Sequence, residues 1–123
     1  MPRTIRIAAG NVTMDATLND TATASEIWDA LPISARASIW GDEIYFAIPV
    51  HRDEENAKAT VGLGDLGYWP PGNAFCIFYG PTPMSRGDEI RPASPVNIVG
   101  KIVGDATLFK QVASSSKVTI TPV

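Results

Sequence analysis

The residues around Gly10-Asn11 constrain this chain more than any others. On one side Ile5, Ile7 and Ala9 alternate with Arg6 and Ala8; on the other Val12, Met14, Ala16 and Leu18 alternate with Thr13, Asp15 and Thr17. A period of two on both arms of a Gly-Asn pair predicts a β-hairpin with one apolar and one polar face. Such a ribbon suits a barrel or a sheet that is wet on one side. Ten glycines and ten prolines in 123 residues supply the many turns that a small all-β domain requires.

The chain beyond the hairpin continues in this style. "TASEIWDALP" predicts the one full helix, over about 23–31, because Ala24, Ile27, Trp28 and Leu31 fall on one helical face. Thr23 and Glu26 have the spacing of a capping box, and Pro32 ends the run. "RASIW" and "EIYFAIPV" flank Gly41-Asp42 as a second hairpin, with Ile44, Phe46, Ile48 and Val50 on one face and Glu43, Tyr45 and Ala47 on the other. "HRDEENA" reads as a solvated connection, and "KATVGL" as a strand with Ala59, Val61 and Leu63 inward. "GYWPPG" holds Tyr68 and Trp69 in an extended, proline-fixed corner. "AFCIFY" is a continuous apolar run and so a strand buried on both faces. A long proline-stiffened loop follows, then the strand "VNIVGKIV", a helical turn near 106–112 and a last strand, "KVTITPV". The total is about eight strands in a single domain over 1–123, with the final strand closing the sheet.

Composition narrows the chemistry. The apolar fraction is 45% and no run approaches the roughly 20 residues of a membrane-spanning helix. "MPRTIRI" has no apolar core of a signal peptide, so the expected location is cytoplasmic. A net charge of −3 with scattered Lys and Arg argues against nucleic acid. Cys76, the only cysteine, excludes an intrachain disulfide and a cysteine-based zinc site, and its place in an apolar strand favours a neutral core thiol. His51 is the only histidine. It sits beside "RDEEN", where consecutive acids on a loop lack the convergent geometry of a zinc site, so neither a metal nor a Ser-His-Asp triad is expected. The glycines at 62, 64, 67 and 72 lack the strand-to-helix context and the Lys-Ser/Thr pair of a phosphate loop. No cofactor is implied.

What remains is an aromatic and charged cluster. Trp40, Tyr45, Tyr68 and Trp69 are candidates for a barrel's outer or mouth surface, with Glu43, Arg86, Asp88 and Arg91 as a rim. Tyr and Trp offer rigid apolar area with a polar handle, which suits a small molecule or an extended peptide. Trp69, stiffened by the two following prolines, is expected to be partly exposed beside Tyr45 or Trp40.

Several motifs resemble those of a known family. "LNDTATASEIWDALP", "GNAFCIFYG" and "NIVGKIVGD" are similar to successive segments of cyclophilins. "ALPI", "WGDEIYF", "GDLGYWPPGNA" and "GDEIR", in this order, resemble the small prokaryotic TM1367-like cyclophilin-fold family over essentially the whole chain. The resemblance implies a closed eight-stranded β-barrel, mainly β in class, and no assigned biochemical role. It also places the cyclophilin arginine near Ser38, its glutamine near Phe46, the other strand's glutamine and pocket phenylalanine at Ala74 and Cys76, and the pocket histidine at Val96. Arg36, two residues from Ser38, is at best a displaced substitute. Prolyl isomerase activity is therefore not expected.

Two functions follow. The first is a binding module whose pocket, on the cyclophilin-type face, is formed by Trp40, Glu43, Tyr45, Tyr68, Trp69, Phe75 and Arg86 and takes a small molecule or peptide. The second is an enzyme or enzyme subunit acting on amide-type small molecules. It is suggested by related barrels in ATP-dependent amide-cleaving systems and would use a carboxylate such as Glu43 or an arginine such as Arg86. Burial of Glu43 beside the aromatics is the feature that a raised carboxyl pKa would need.

Overall fold

The computed structural model describes residues 3–123. The first hairpin forms as its alternation predicts: β1 (Arg3–Ala9) pairs antiparallel with β2 (Val12–Leu18), Ile7 opposite Met14, and Gly10 turns at φ +57°. Its alternating apolar face, Ile5, Ile7, Ala9, Val12, Met14, Ala16 and Leu18, is wholly buried. The polar face carries the Arg6–Asp15 ion pair at 2.8 Å.

The helix α1 spans Ala22–Asp29, and its start differs from the expected capping box. Thr21 is the cap, accepting from the Ala24 N–H at 3.1 Å. Thr23 lies inside the helix. Its backbone N–H and hydroxyl donate to Glu55 at 2.9 and 2.7 Å, while Glu26 pairs with Arg52 at 2.9 Å. The connection "HRDEENA" therefore does more than solvate a loop. Glu55 satisfies the free amides that open the helix, and those bonds hold its carboxyl below the usual range. Buried Asn97 completes the joint, accepting from the Glu55 N–H at 2.7 Å and donating to Thr23 Oγ1 and the Asp53 carbonyl.

The remaining strands are β3 (Ile33–Arg36), β4 (Ser38–Ile39), β5 (Glu43–Ala47), β6 (Asp65–Trp69), β7 (Ala74–Phe78), β8 (Asn97–Ile102) and β9 (Lys117–Pro122). They form one antiparallel sheet in the order β3-β9-β1-β2-β8-β6-β7-β5-β4. Its two edge strands are joined through Ala37, so the sheet curls into a nearly closed barrel. Nine strands stand where eight were expected, for three reasons. The segment 33–39 splits at Ala37, sending one piece to each edge. "DLGYW" is a strand and not only a corner; a 3-10 turn at Pro70–Gly72 folds it back onto β7. "KATVGL" is not a strand: it makes only the isolated bridges Lys58–Val96 and Val61–Ile90, and Leu63 is 50% exposed. The turn near 106–112 is a 3-10 helix, Ala106–Gln111. The terminal strand β9 pairs with both β1 and β3.

Strand alternation sorts the side chains into two cores. Ile44, Phe46, Leu66, Tyr68, Phe75 and Ile77 point into the barrel, where Phe46 and Phe75 stack at 5.6 Å between ring centroids. Ala74, Cys76 and Phe78 belong to a second, smaller cluster outside it, with Ile90 and Val96. The segment 80–96 folds over this outer face. Its shape is fixed by Ser85 Oγ, which accepts from the N–H groups of Thr82 (2.9 Å) and Arg91 (3.0 Å), and by the hydrogen bond from the Thr82 hydroxyl to the Arg91 carbonyl.

Candidate functional site

Between that loop and the outer face lies a cavity of about 260 Å³, lined by Trp40, Glu43, Tyr45, Trp69, Cys76, Pro92 and Ala93. Each wall follows from local chain geometry. Trp40 and Glu43 are the ends of the tight turn through Gly41-Asp42 and exchange backbone hydrogen bonds at 2.9 and 3.2 Å. Glu43 and Tyr45 are two apart on β5 and so share its outer face. Tyr45 stands directly opposite Cys76 on β7. Trp69, outward-facing on β6, completes the wall. Its ring lies so close to Gly72 that a Cβ there would fall 2.7 Å from the indole Cζ3. Its indole N–H donates to Ser94 Oγ at 2.7 Å, tying the covering loop down beside Pro92 and Ala93.

Four of the expected residues, Trp40, Glu43, Tyr45 and Trp69, line this one cavity. Three do not. Tyr68 and Phe75 are both 0% exposed and face into the barrel. Tyr68 cannot share a face with Trp69, its neighbour on the same strand. Its hydroxyl is used structurally, lying 2.6 Å from the Val50 carbonyl and 3.0 Å from Asn73 Oδ1 and accepting from the Arg52 N–H at 3.2 Å. Arg86 is exposed in the segment beside Gly87, away from the cavity lining. Pro92 and Ala93 were not anticipated, and Cys76 was placed at a pocket position only by the resemblance to cyclophilins, not among the expected binding residues. In a wholly apolar run nothing marks which face Cys76 takes, except that an inward Phe75 requires it to point out. For Pro92 and Ala93 the sequence holds no signal.

Glu43 is the unusual member. It is 5% exposed, and its Oε1 is fully buried without a hydrogen-bond partner. Among the described residues no Lys, Arg or His forms an ion pair with it. Burial raises its pKa from 4.5 to about 7, and the nearby Cys76 thiol opposes this only weakly; by geometry that thiol is directed at the Ala74 carbonyl, 3.9 Å away. The thiol is pushed well above its ordinary value by its own burial and then by the Glu43 charge. Tyr79 is pushed up to about 12, chiefly by burial. An ionised carboxylate is an acceptor only, and leaving one of its oxygens dry and unpaired costs free energy that a purely structural residue would avoid.

No cation stands where the resemblance put the isomerase arginine. Ser38 is on β4, and Arg36, on β3, donates to the Ser115 carbonyl at 3.1 Å, outside the cavity lining. His51 is exposed. Among the described residues no helix is long and apolar enough to cross a membrane.

An antiparallel barrel with its helix after the second strand, and an aromatic pocket on the outside of β5 to β7, defines a class. The chain belongs to the cyclophilin-like family, whose model matches residues 3–121. It is also similar to the solution structure of the hypothetical protein AF2241 from Archaeoglobus fulgidus, with 40% identity and a TM-score of 0.84, covering 99% of this chain and 95% of that one. No curated protein matches it.

Proposed function

We propose that this protein is a binding module that takes a small molecule or a short peptide segment in the outer-face cavity, without prolyl isomerase activity. The observation that carries this reading is Glu43, a buried carboxyl with an unpaired oxygen in a site otherwise walled by aromatic and apolar side chains. A ligand carrying a donor or positive charge would compensate that carboxyl, and the aromatic walls would supply apolar area already in place, so little ordering is needed on binding. The absence of an arginine from the lining removes the group that would polarise a prolyl nitrogen.

An unbiased thermal-shift screen tests the reading. A true ligand raises the melting temperature by mass action, and Trp69→Ala abolishes the response. Hits that survive Trp69→Ala bind elsewhere and refute the assignment. Measurable prolyl isomerase activity that Arg36→Ala abolishes would overturn the negative part.

The same carboxyl favours a second reading, an enzyme or enzyme subunit acting on an amide-type small molecule. A pKa of about 7 is near the optimum for acid–base catalysis at neutral pH. Against it, the lining holds neither histidine, arginine nor lysine to work with Glu43. Turnover of a screened binder that Glu43→Gln removes while binding persists would favour this second reading.

A further inference from the structure

We infer that the ligand of this pocket is an organic cation, a substituted ammonium group held by the Glu43 carboxylate and the rings of Trp40, Tyr45 and Trp69. This rests on the binding-module reading and names the ligand's chemistry.

The lining selects for charge. Three of its seven residues are aromatic and one is a carboxylate, with no Lys, Arg or His among them. Aromatic rings attract cations through their quadrupole, more strongly where water is excluded. The Trp69 N–H is spent on Ser94, so the indole offers the cavity ring and not a donor. An anionic ligand would meet Glu43 with nothing to balance it. A neutral carbonyl ligand would find only the Trp40 indole N–H, the Tyr45 hydroxyl and the Cys76 thiol as side-chain donors, and none of these balances the Glu43 charge. A cation instead meets the Glu43 carboxylate charge and the three rings together, with no other charge in the lining to compete. A cavity of about 260 Å³ admits a small alkylated ammonium head, and alkyl groups on nitrogen suit apolar walls better than a strongly hydrated primary ammonium does.

The titratable groups around Glu43 are Cys76 on β7, Tyr79 just beyond it, Tyr45 on the same strand, and Asp42 in the adjoining turn, 3.9 Å from Lys110 Nζ. The covering residues Pro92 and Ala93 carry no charge. Cys76 and Tyr79 keep their protons between pH 5.5 and 8. The cation pairs with the ionised form of Glu43, so its affinity rises with pH through that interval.

The test is a tryptophan-fluorescence or NMR titration of the full chain with choline and with its neutral carbon isostere, 3,3-dimethylbutan-1-ol. At pH 8 choline is expected to bind about tenfold more tightly than the alcohol, a cation–π and ion-pair preference of ordinary size. That preference falls severalfold, to its cation–π part, in Glu43→Gln and, independently of any variant, in the wild type at pH 5.5; a preference unchanged in both removes the carboxylate from the site and overturns the inference. If the alcohol binds as well as choline at pH 8, the pocket is a binding site but not a cation site, and this inference alone fails. If neither binds while the thermal screen yields a Trp69-dependent ligand without positive charge, the inference is likewise overturned and the binding-module reading stands. A screen with no Trp69-dependent hit overturns both.

Discussion

Trp40 and Glu43 exchange both backbone hydrogen bonds, at 2.9 and 3.2 Å, across the Gly41-Asp42 turn. One tight turn therefore places an aromatic wall and the buried carboxyl of the pocket together. Gly41 permits this by adopting φ +60°, and a Cβ on it would lie 2.8 Å from Pro83 Cδ and 2.9 Å from the Thr82 Cα. Replacing it by alanine adds a left-handed backbone penalty of about 1–2 kcal/mol and pushes the covering loop away. Gly41→Ala is expected to lower the melting temperature and to weaken ligand response in the same protein. An unchanged response would separate the turn from the site.

Glu43 makes the folded protein less stable as pH rises. Below about pH 4.5 its carboxyl is protonated in both folded and unfolded chains, and it costs nothing in charge. Between about 4.5 and 7 the unfolded chain releases a proton that the folded chain retains, so stability falls through that window. Above it the cost is constant, at roughly 3 kcal/mol or less. Glu43→Gln keeps the shape without the charge. At pH 8 the variant is expected to melt several degrees above the wild type, with the advantage gone near pH 4. A variant less stable than the wild type at pH 8 would mean that the carboxylate is paired and structural.

The last strand is expected to be indispensable. β9 is hydrogen-bonded to β1 on one side and β3 on the other, and Val118 and Ile120 are both fully buried. Removing 117–123 exposes two strand edges and discards two core side chains, each contributing about 1.5–3 kcal/mol. Against a typical total of about 5–15 kcal/mol, the truncated chain should lose cooperative melting or melt far lower. Circular dichroism through a thermal ramp decides it; a profile like that of the full chain would contradict the closure.

Much of this architecture is legible in the sequence because strand alternation reports burial directly. Ile5 to Leu18 read as one face of a hairpin and fold as one, and Val118 and Ile120 read as a closing strand and close the sheet. The misreadings share a physical cause. "KATVGL" alternates like a strand but finds only single bridges. "GYWPPG" looks like a corner, since its prolines hide the strand that precedes them. That reading put Tyr68 and Trp69 on one surface, where a strand's pleat forces neighbours to opposite faces. Of the site, Trp40, Glu43, Tyr45 and Trp69 could be chosen as residue types suited to binding. Pro92 and Ala93 could not, because their contribution depends on a long loop folding back over the sheet, fixed by Ser85, Thr82 and Ser94 at sequence separations that no local pattern records. The loss of the expected Thr23–Glu26 box has in part the same origin: Thr21 is the cap, and the distant Glu55 carboxylate takes the Ala22 and Thr23 amides that a local partner was expected to serve.

The account turns on Glu43 as a dry, unpaired carboxyl kept at the pocket for a ligand, and carbon-13 NMR of its side-chain carboxyl across pH 3–9 measures this directly. The titration midpoint is expected near 7, as burial dictates, with ligand added at pH 8 shifting that same resonance. A midpoint near the ordinary 4.5 would show a carboxyl open to water, and the pocket would lose the feature that marks it as a site.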